Sequence, residues 1–392
     1  MSKLSVAGAP PAALGTAPFA RTVATVSVMG VLVVGQMYVT IPLMSELGDA
    51  WGVSAGAAAA STTAFAFAHA VGSLVSGPLS TRFGRRTVMV ANVLAMAVVT
   101  TLMPLATSLA TGVTLRALQG LFAGSFIPMS YAYLHARIAP HRVSLALTVV
   151  SACMGATVVI GQVEAQLVAS SLDWVWVFWG TVPLLLVGAA VSWRVLLAEG
   201  RQPAAVSGGA GLRAALGARM FPLYLVILIG AGSLTAVYTG VQLFGPADVS
   251  GGGTLLALRA SALPALLGAI LLAPALARIP APRRAAGALM VTAAAMLAAA
   301  LSGDSAVALG AALFAFMAGF ATLGPALIQS VGARAGGAQT TAIALYGFTL
   351  NVGAGAGAQL AAFFGGFSTL ALFLALVLAV AVGGVLRGVR RT

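Results

Sequence analysis

The sequence predicts an all-α membrane protein of twelve transmembrane helices, and three observations support this fold class. Hydrophobic residues make up 60% of the 392-residue chain and charged residues only 7%, whereas soluble domains average about 25% charged residues. The mean hydropathy of +1.05 is that of a chain that lies mostly in lipid. Apolar segments of about 20 residues, the length a helix needs to cross a bilayer, recur along the whole chain.

Each apolar segment is bounded by charges, prolines or glycine clusters and is interpreted as one span. The segments, numbered spans 1 to 12, are 22–44, 55–79, 87–105, 108–134, 144–168, 175–193, 221–244, 253–276, 285–301, 306–331, 341–364 and 368–386. The longest polar interruption carries four arginines and divides the chain in the middle. The predicted organisation is an N-terminal tail, a six-helix bundle, a linker, a second six-helix bundle and a C-terminal tail, at 1–21, 22–193, 194–220, 221–386 and 387–392.

The basic residues set the orientation, because short cytoplasmic loops collect Lys and Arg. With both termini inside, 18 of the 20 basic residues fall in cytoplasmic segments, and the other two, Arg116 and Arg259, fall inside spans. Five of the seven acids fall in outer loops: Glu46, Asp49, Asp173, Asp248 and Asp304. The net charge of +13 therefore reflects membrane topology and not a nucleic-acid surface. The Ala, Gly and Arg bias points to a bacterial source, and hence to the inner membrane.

Several classes of function are disfavoured by what the chain contains. A single cysteine, Cys153, leaves no intramolecular disulfide and no cysteine-built metal site. The acids are scattered, so a lipid-headgroup or prenyl transferase with clustered carboxylates is disfavoured, and no Gly-rich loop with a P-loop lysine is present for an ATP-driven pump. We expect no enzyme activity, no cofactor and no metal.

The two halves of the chain resemble each other. The loop after span 2 contains Arg82, and the loop after span 8 contains Arg278, 196 residues later. Pro128 in span 4 and Pro325 in span 10 are separated by 197 residues. A near-constant offset indicates duplication, which is the organisation of many secondary transporters.

Three motifs resemble those of the major facilitator superfamily. The loop after span 2 matches the signature Gly-x-Leu-x-Asp-Arg-x-Gly-Arg-Arg at Gly77, Leu79, Arg82, Gly84, Arg85 and Arg86. Arg116 to Gly120 in span 4 matches Arg-x-x-Gln-Gly, and Tyr38 to Leu43 resembles the first-span end of bacterial drug and sugar efflux members. The resemblance covers the whole chain. It implies two pseudo-symmetric six-helix bundles that rock around a central substrate site.

Two departures from the family pattern affect what the resemblance implies. Thr81 replaces the signature acid, which in the family braces the cytoplasmic gate, so we expect a weaker cytoplasmic lock. Residues 161–165 replace the Gly-Pro-x-x-Gly-Gly of span 5 in antiporters. The match to the drug:proton antiporter branch is therefore looser than the match to the superfamily.

Ionisable side chains inside spans are the first candidates for proton coupling and gating. Glu164 in span 5 and Arg259 in span 8 lie at similar depth, and these spans are neighbours across the halves in the family, so we predict a pair that closes the outer side. The alternatives are a permanent structural ion pair or two groups that each reach water. The resemblance gives Arg116 a role in proton coupling, against an anchoring role between helices. His69, on a polar face of span 2 with Thr62, Ser73 and Ser76, either transfers protons or bonds a neighbouring helix.

Polar side chains of spans 1, 7 and 11 are the candidate substrate contacts, because spans 1 and 7 line the cavity in the family. These residues are Gln36, Tyr38, Tyr238, Gln242, Tyr346 and Asn351. For each tyrosine the alternative is helix packing or an interfacial position.

The sequence favours proton-driven export of a small amphipathic organic molecule by a monomer, with the proton gradient as its energy source. Its partners are then the substrate, protons and lipid. One alternative is an importer or facilitated carrier of a sugar or metabolite, favoured by the absence of an acid in span 1 and by the altered span 5. Another is a membrane sensor that binds without transport.

Overall fold

The computed structural model describes residues 16–198, 213–217, 219–245, 252–276, 278–303 and 305–389, and within these ranges the chain forms helices joined by short turns. Parts of the predicted tails and linker (1–15, 199–212, 218 and 390–392) lie outside the described residues, as do Asp248 and Asp304.

Each predicted span contains at least one helix in this structure. In the first half, spans 1 to 6 are the helices Phe19–Gly35, Ala60–Phe83, Arg85–Leu102, Leu109–Gly124 with Phe126–Arg137, Pro140–Ser171, and Val175–Trp179 with Thr181–Val195. In the second half, spans 7 to 12 are Phe221–Phe244, Gly252–Ala260 with Ala262–Leu276, Ala281–Ala300, Ala306–Ala335, Gln339–Ala362 and Phe367–Val389. By length and composition, eight helices among the described residues are long and apolar enough to cross a membrane, and spans 1 and 8 contain shorter apolar helices.

Span 1 differs from its prediction. Residues 22–44 were expected to form one helix, but the helix ends at Gly35 and residues 36–43 form turns with i to i−3 hydrogen bonds, such as Tyr38 N to Gly35 O at 2.9 Å. Pro42 explains part of this break, because proline inside a helix lacks the N–H donor and clashes with the carbonyl four residues earlier. A separate helix, Met44–Trp51, follows. Glu46, predicted to lie in an outer loop, is on this helix.

The repeat predicted from the offsets appears as one helix crossing made twice. In the first half, a Cβ added to Gly161 of span 5 would lie 2.7 Å from the Gly35 carbonyl oxygen of span 1. In the second half, a Cβ on Gly357 of span 11 would lie 2.7 Å from the Gly232 carbonyl carbon of span 7. Gly35 and Gly232 are 197 residues apart, and Gly161 and Gly357 are 196 apart. Close crossings that only glycine permits therefore occupy equivalent places in the two bundles.

The two halves contact each other through residues near the outer ends of spans, in the predicted orientation. Spans 2 and 11 are in contact there, and Thr63 Oγ1 donates a 2.8 Å hydrogen bond to the Gly355 carbonyl. The helix Gly252–Ala260, which begins span 8, contacts span 5 at the same end. We refer to these two contacts together as the outer closure.

Candidate functional site

Two arginines are almost completely buried inside the protein: Arg116 is 0% exposed and Arg259 is 1% exposed. A guanidinium is always charged in proteins, and a buried charge costs free energy unless it is paired or well hydrogen-bonded. The environments of these two side chains therefore define the candidate site.

Two of the three guanidinium nitrogens of Arg116 are hydrogen-bonded by groups of the first half, while its Nε makes no hydrogen bond within the described residues. Its Nη2 donates to the Gln36 carbonyl at 2.8 Å and its Nη1 donates to Gln119 Oε1 at 2.8 Å. Its guanidinium carbon lies 4.4 Å from the centre of the Phe65 ring, and Gln119 Nε2 donates in turn to Thr100 Oγ1 at 2.8 Å. Arg116 thus binds backbone carbonyl groups that the end of the span 1 helix leaves free. This geometry supports the role of Arg116 as an anchor between helices, and its role in proton coupling stays a prediction.

Arg259 is engaged on one side only. Its Nη2 donates to Gln242 Oε1 of span 7, while its Nε and Nη1 are buried and make no hydrogen bond within the described residues. Tyr238, one turn before Gln242 on span 7, has a buried hydroxyl that is also without a hydrogen bond in the described part of the chain. The structure therefore brings together three residues that the sequence had assigned to two separate roles.

The predicted ion pair between Glu164 and Arg259 is not formed in this structure. Glu164 is partly exposed on span 5, and no hydrogen bond or ion pair of its carboxylate is found within the described ranges. The Arg259 guanidinium instead bonds Gln242 of its own half. The helices that carry the two residues do contact each other, as the prediction required. The coupling role of Glu164 stays a prediction.

Glu46 is the acid that sequence reasoning missed. One of its carboxylate oxygens, Oε2, is buried and lacks a hydrogen bond among the residues described. A signal was available in the sequence. Leu43, Met44, Leu47 and Trp51 are apolar at helical spacing and are all buried, which is the pattern of an amphipathic helix and not of a loop.

His69 is buried in span 2, and neither ring nitrogen is hydrogen-bonded within the described part of the structure. Its ring stacks on Phe65 with 6.1 Å between centroids. The predicted polar face around it is divided: Thr62 Oγ1 shares a 2.9 Å hydrogen bond with Thr40 Oγ1 of span 1, whereas Ser73 and Ser76 bond carbonyls of their own helix. The role of His69 in proton transfer is not tested by this geometry.

The remaining candidate substrate contacts are spread over both halves. Gln36 is buried and donates to Thr181 Oγ1 at 3.4 Å, a contact inside the first bundle, and Tyr38 is buried in the core. Asn351 donates to the Gly347 carbonyl of its own helix at 2.8 Å. Tyr346 in span 11 donates to the Gly324 carbonyl at 3.4 Å.

A second tyrosine, absent from the predicted set, lies on span 4 of the first half. Tyr131 shares a 2.9 Å hydrogen bond with Ser151 Oγ of span 5. The available signal was its position three residues after Pro128, just past the point where span 4 is broken at Ser125.

The signature loop after span 2 is built as a tight helix-to-helix turn. Gly84 has a φ of +80°, which side chains rarely tolerate, and Arg85 begins span 3. Arg86 donates to the Trp193 and Leu196 carbonyls at 3.3 and 3.2 Å and lies 4.0 Å from the Trp193 ring centre. It thereby binds orphan carbonyls at the end of span 6.

The other signature residues lie at the end of span 2. Thr81 Oγ1 donates to the Pro78 carbonyl of its own helix at 2.8 Å. Arg82 and Gly77 are exposed, and Leu79 packs against the core. A carboxylate at position 81 would supply a charge that this hydroxyl does not.

Comparison with known proteins gives a consistent family. The family model described as Major Facilitator Superfamily matches residues 26–358. The chain is 30% identical over 330 residues to the chloramphenicol resistance protein of Streptomyces lividans, a match that covers 82% of this chain and 83% of that protein. It is 28% identical over 134 residues to the fatty acid resistance protein FarB of Neisseria gonorrhoeae, covering 34% of this chain but only 26% of FarB.

Among solved structures, the human organic anion transporter MFSD10 (TETRAN) has the same fold. The TM-score is 0.71 at 16% identity, and the match covers 94% of this chain and 99% of that one. The arrangement of the twelve spans is thus that of a known transporter, while the low identity carries no information on substrate.

Proposed function

Because the chain belongs to the Major Facilitator Superfamily, we propose that this transporter exports a small amphipathic organic compound in exchange for protons. It alternates between a state open to the cytoplasm and a state open to the outside. It acts as a monomer in the bacterial cytoplasmic membrane, with both termini in the cytoplasm. The contact of the two bundles through few helix pairs at the outer closure suits such rocking.

Export is supported by the relatives. The relative that matches over most of this chain is named a chloramphenicol resistance protein. A partial match is the tetracenomycin C resistance and export protein of Streptomyces glaucescens, which is 31% identical over 140 residues. Both names refer to resistance against a small toxic organic compound. We extend that class of compound, and outward direction, to this chain.

Proton coupling rests on one observation, the position of Glu164. It is the acidic residue that the described residues place within a membrane-crossing helix, span 5, and that helix contacts span 8. Its carboxylate forms no ion pair among the residues described. A carboxyl group free of a permanent cation partner at the boundary of two moving bundles is able to bind a proton in one state and release it in the other.

The first experiment measures accumulation of dyes and antibiotics, chloramphenicol included, in a pump-deficient bacterial host that expresses the chain. We expect lower accumulation that an uncoupler abolishes. The Glu164→Gln variant should lose this effect, whereas Asp173→Asn should retain it, because Asp173 is exposed and only caps Val175 N. Export that persists with the uncoupler would overturn proton coupling.

The import alternative keeps one observation in its favour. The break in span 1 contains the polar residues Gln36, Tyr38 and Thr40 and no acid, a composition that suits a neutral polar metabolite. Transport direction separates the two proposals. Energised inside-out vesicles accumulate the compound if the protein exports it, and right-side-out vesicles do so if it imports it.

A further inference from the structure

Arg259 has hydrogen-bond donors that the protein leaves unused. Its Nη2 donates to the amide oxygen of Gln242, but its Nε and Nη1 are buried and make no hydrogen bond within the described residues. The one acceptor that the described part of the chain supplies is therefore a neutral amide. A guanidinium keeps its charge in proteins, and a buried charge that is not fully hydrogen-bonded costs free energy. This cost calls for a ligand that repays it.

The other buried arginine is satisfied to a greater degree. The guanidinium of Arg116 donates to the Gln36 carbonyl and to Gln119 Oε1, and it lies over the Phe65 ring. One of its nitrogens, Nε, lacks a hydrogen bond among the residues described, against two nitrogens of Arg259. The protein thus uses Arg116 to hold its own backbone, whereas most of the hydrogen-bonding capacity of Arg259 is left for another group.

Tyr238 adds a second unused group beside Arg259. Its hydroxyl is buried and makes no hydrogen bond within the described ranges. Tyr238 and Gln242 are four residues apart on span 7, so they share one face of the helix, with Cβ atoms about 5–6 Å apart, and Gln242 bonds Arg259. One small ligand is able to reach both the guanidinium and the hydroxyl. Because hydrogen bonds from a guanidinium are strongest to an anionic oxygen, this set of donors favours an anionic group.

The location of these three residues suits a transported ligand. Arg259 lies on the helix Gly252–Ala260, which contacts span 5 of the other half. Gln242 is partly exposed, so the buried guanidinium lies one hydrogen bond away from an accessible side chain. Secondary transporters bind their substrates where the two repeats meet. A ligand held by Arg259 would lie near this boundary.

We propose that Arg259, Tyr238 and Gln242 form a binding site for an anionic group, such as a carboxylate or a phenolate, on the transported compound. Arg259 supplies the charge, Tyr238 donates from its hydroxyl, and Gln242 positions the guanidinium. The proposal names a substrate class for the export proposed above and in that sense rests on it. Its test measures binding alone.

The test compares two probes that differ in charge but hardly in shape. Naphthoate and its neutral amide, naphthamide, are titrated calorimetrically into the purified, detergent-solubilised protein in low-salt buffer. We expect naphthoate to bind about tenfold to a hundredfold more tightly, which is the usual effect of hydrogen bonds to a charged group. Equal dissociation constants for the two probes in the parent protein would overturn the proposal.

Two substitutions remove the preference by different routes. Arg259→Gln removes the charge, and Gln242→Glu keeps the arginine but gives it a carboxylate partner inside the protein. Each should bring the dissociation constant of naphthoate to within about threefold of that of naphthamide, and Tyr238→Phe should weaken naphthoate severalfold. Arg283→Gln, at an exposed arginine, is the matched control and should keep the full preference. If Arg259→Gln fails to accumulate, Gln242→Glu decides, and a preference that survives it refutes the site.

Added sodium chloride distinguishes an organic anion from an inorganic one. Buried charge pairs are weakly screened, so about 0.15 M chloride should weaken naphthoate binding less than threefold. Loss of the whole preference at that concentration would assign the donors to chloride and overturn the proposal. Binding needs neither flux nor a proton gradient. A protein that prefers naphthoate but exports nothing would therefore refute the proposed export and leave this site standing, and export without the preference would do the reverse.

Discussion

Replacement of Gly120 by alanine should separate span 2 from span 4 and destabilise the first bundle. A Cβ at Gly120 would lie 2.8 Å from both the Cα and the carbonyl carbon of Phe65, and closer still to its oxygen. Ordinary contact begins at 3.4 Å, so the two backbones must move apart by at least about 0.6 Å. Neither side of this contact is a flexible side chain, and no rotamer change is able to relieve it.

The cost follows from that geometry. Overpacking of a tight interior contact costs about 1–3 kcal/mol, and here the displaced Phe65 also supports the Arg116 guanidinium. We expect the apparent Tm of the detergent-solubilised protein to fall by about 5 °C, at about 2–4 °C per kcal/mol. The assay is thermal unfolding monitored by size-exclusion chromatography, with every variant prepared in the same way.

Two glycines provide matched controls. Gly155 in span 5 and Gly347 in span 11 are helical, and a Cβ at either would meet nothing within 4 Å. Alanine at these positions should be neutral or should stabilise by up to about 1 kcal/mol, because glycine is a poor helix former. Equal Tm values for Gly120→Ala and Gly155→Ala would refute the account of span 2 and span 4 packing.

Two further predictions concern charged or polar groups. Arg116→Lys should lower the free energy of unfolding by about 2 kcal/mol, because a lysine keeps the charge but cannot reach both the Gln36 carbonyl and Gln119 as the guanidinium does. Thermal unfolding measures this loss. Arg142→Lys, at an exposed arginine, should show no comparable loss. Thr81→Asp should strengthen the cytoplasmic lock and reduce labelling of cysteines placed in the cytoplasmic cavity severalfold, and equal labelling in the two proteins would show that position 81 does not set the balance.

Much of the fold was predictable because lipid imposes a simple requirement on each segment. The backbone of a spanning segment must satisfy its own hydrogen bonds, so apolar length alone located the twelve helices, and span 7 was predicted with its observed bounds of 221–244. Span 1 departs most from its prediction. Its helix ends at Gly35 because Pro42 and the guanidinium of Arg116 favour a break, and the partner of that arginine lies 80 residues away in sequence.

The candidate site was predictable only where its residues share a helix. Tyr238 and Gln242 are one turn apart, so their common face was evident, and Arg259 joined them in space. Glu46 was missed because it follows the apolar run of span 1 and was counted as a loop residue. Whether Glu164 reaches Arg259 depends on the packing of two bundles, and no local pattern encodes it.

The measurement that tests the account most directly is substrate-driven proton movement in liposomes. The purified protein is reconstituted, a gradient of a compound identified by the accumulation panel is imposed without a pH gradient, and a pH-sensitive dye records the lumen. The account predicts proton flow opposite to the compound in the parent protein, and compound exchange without proton flow in Glu164→Gln. Compound flux that moves no protons in the parent, or proton flow that Glu164→Gln leaves intact, would contradict it.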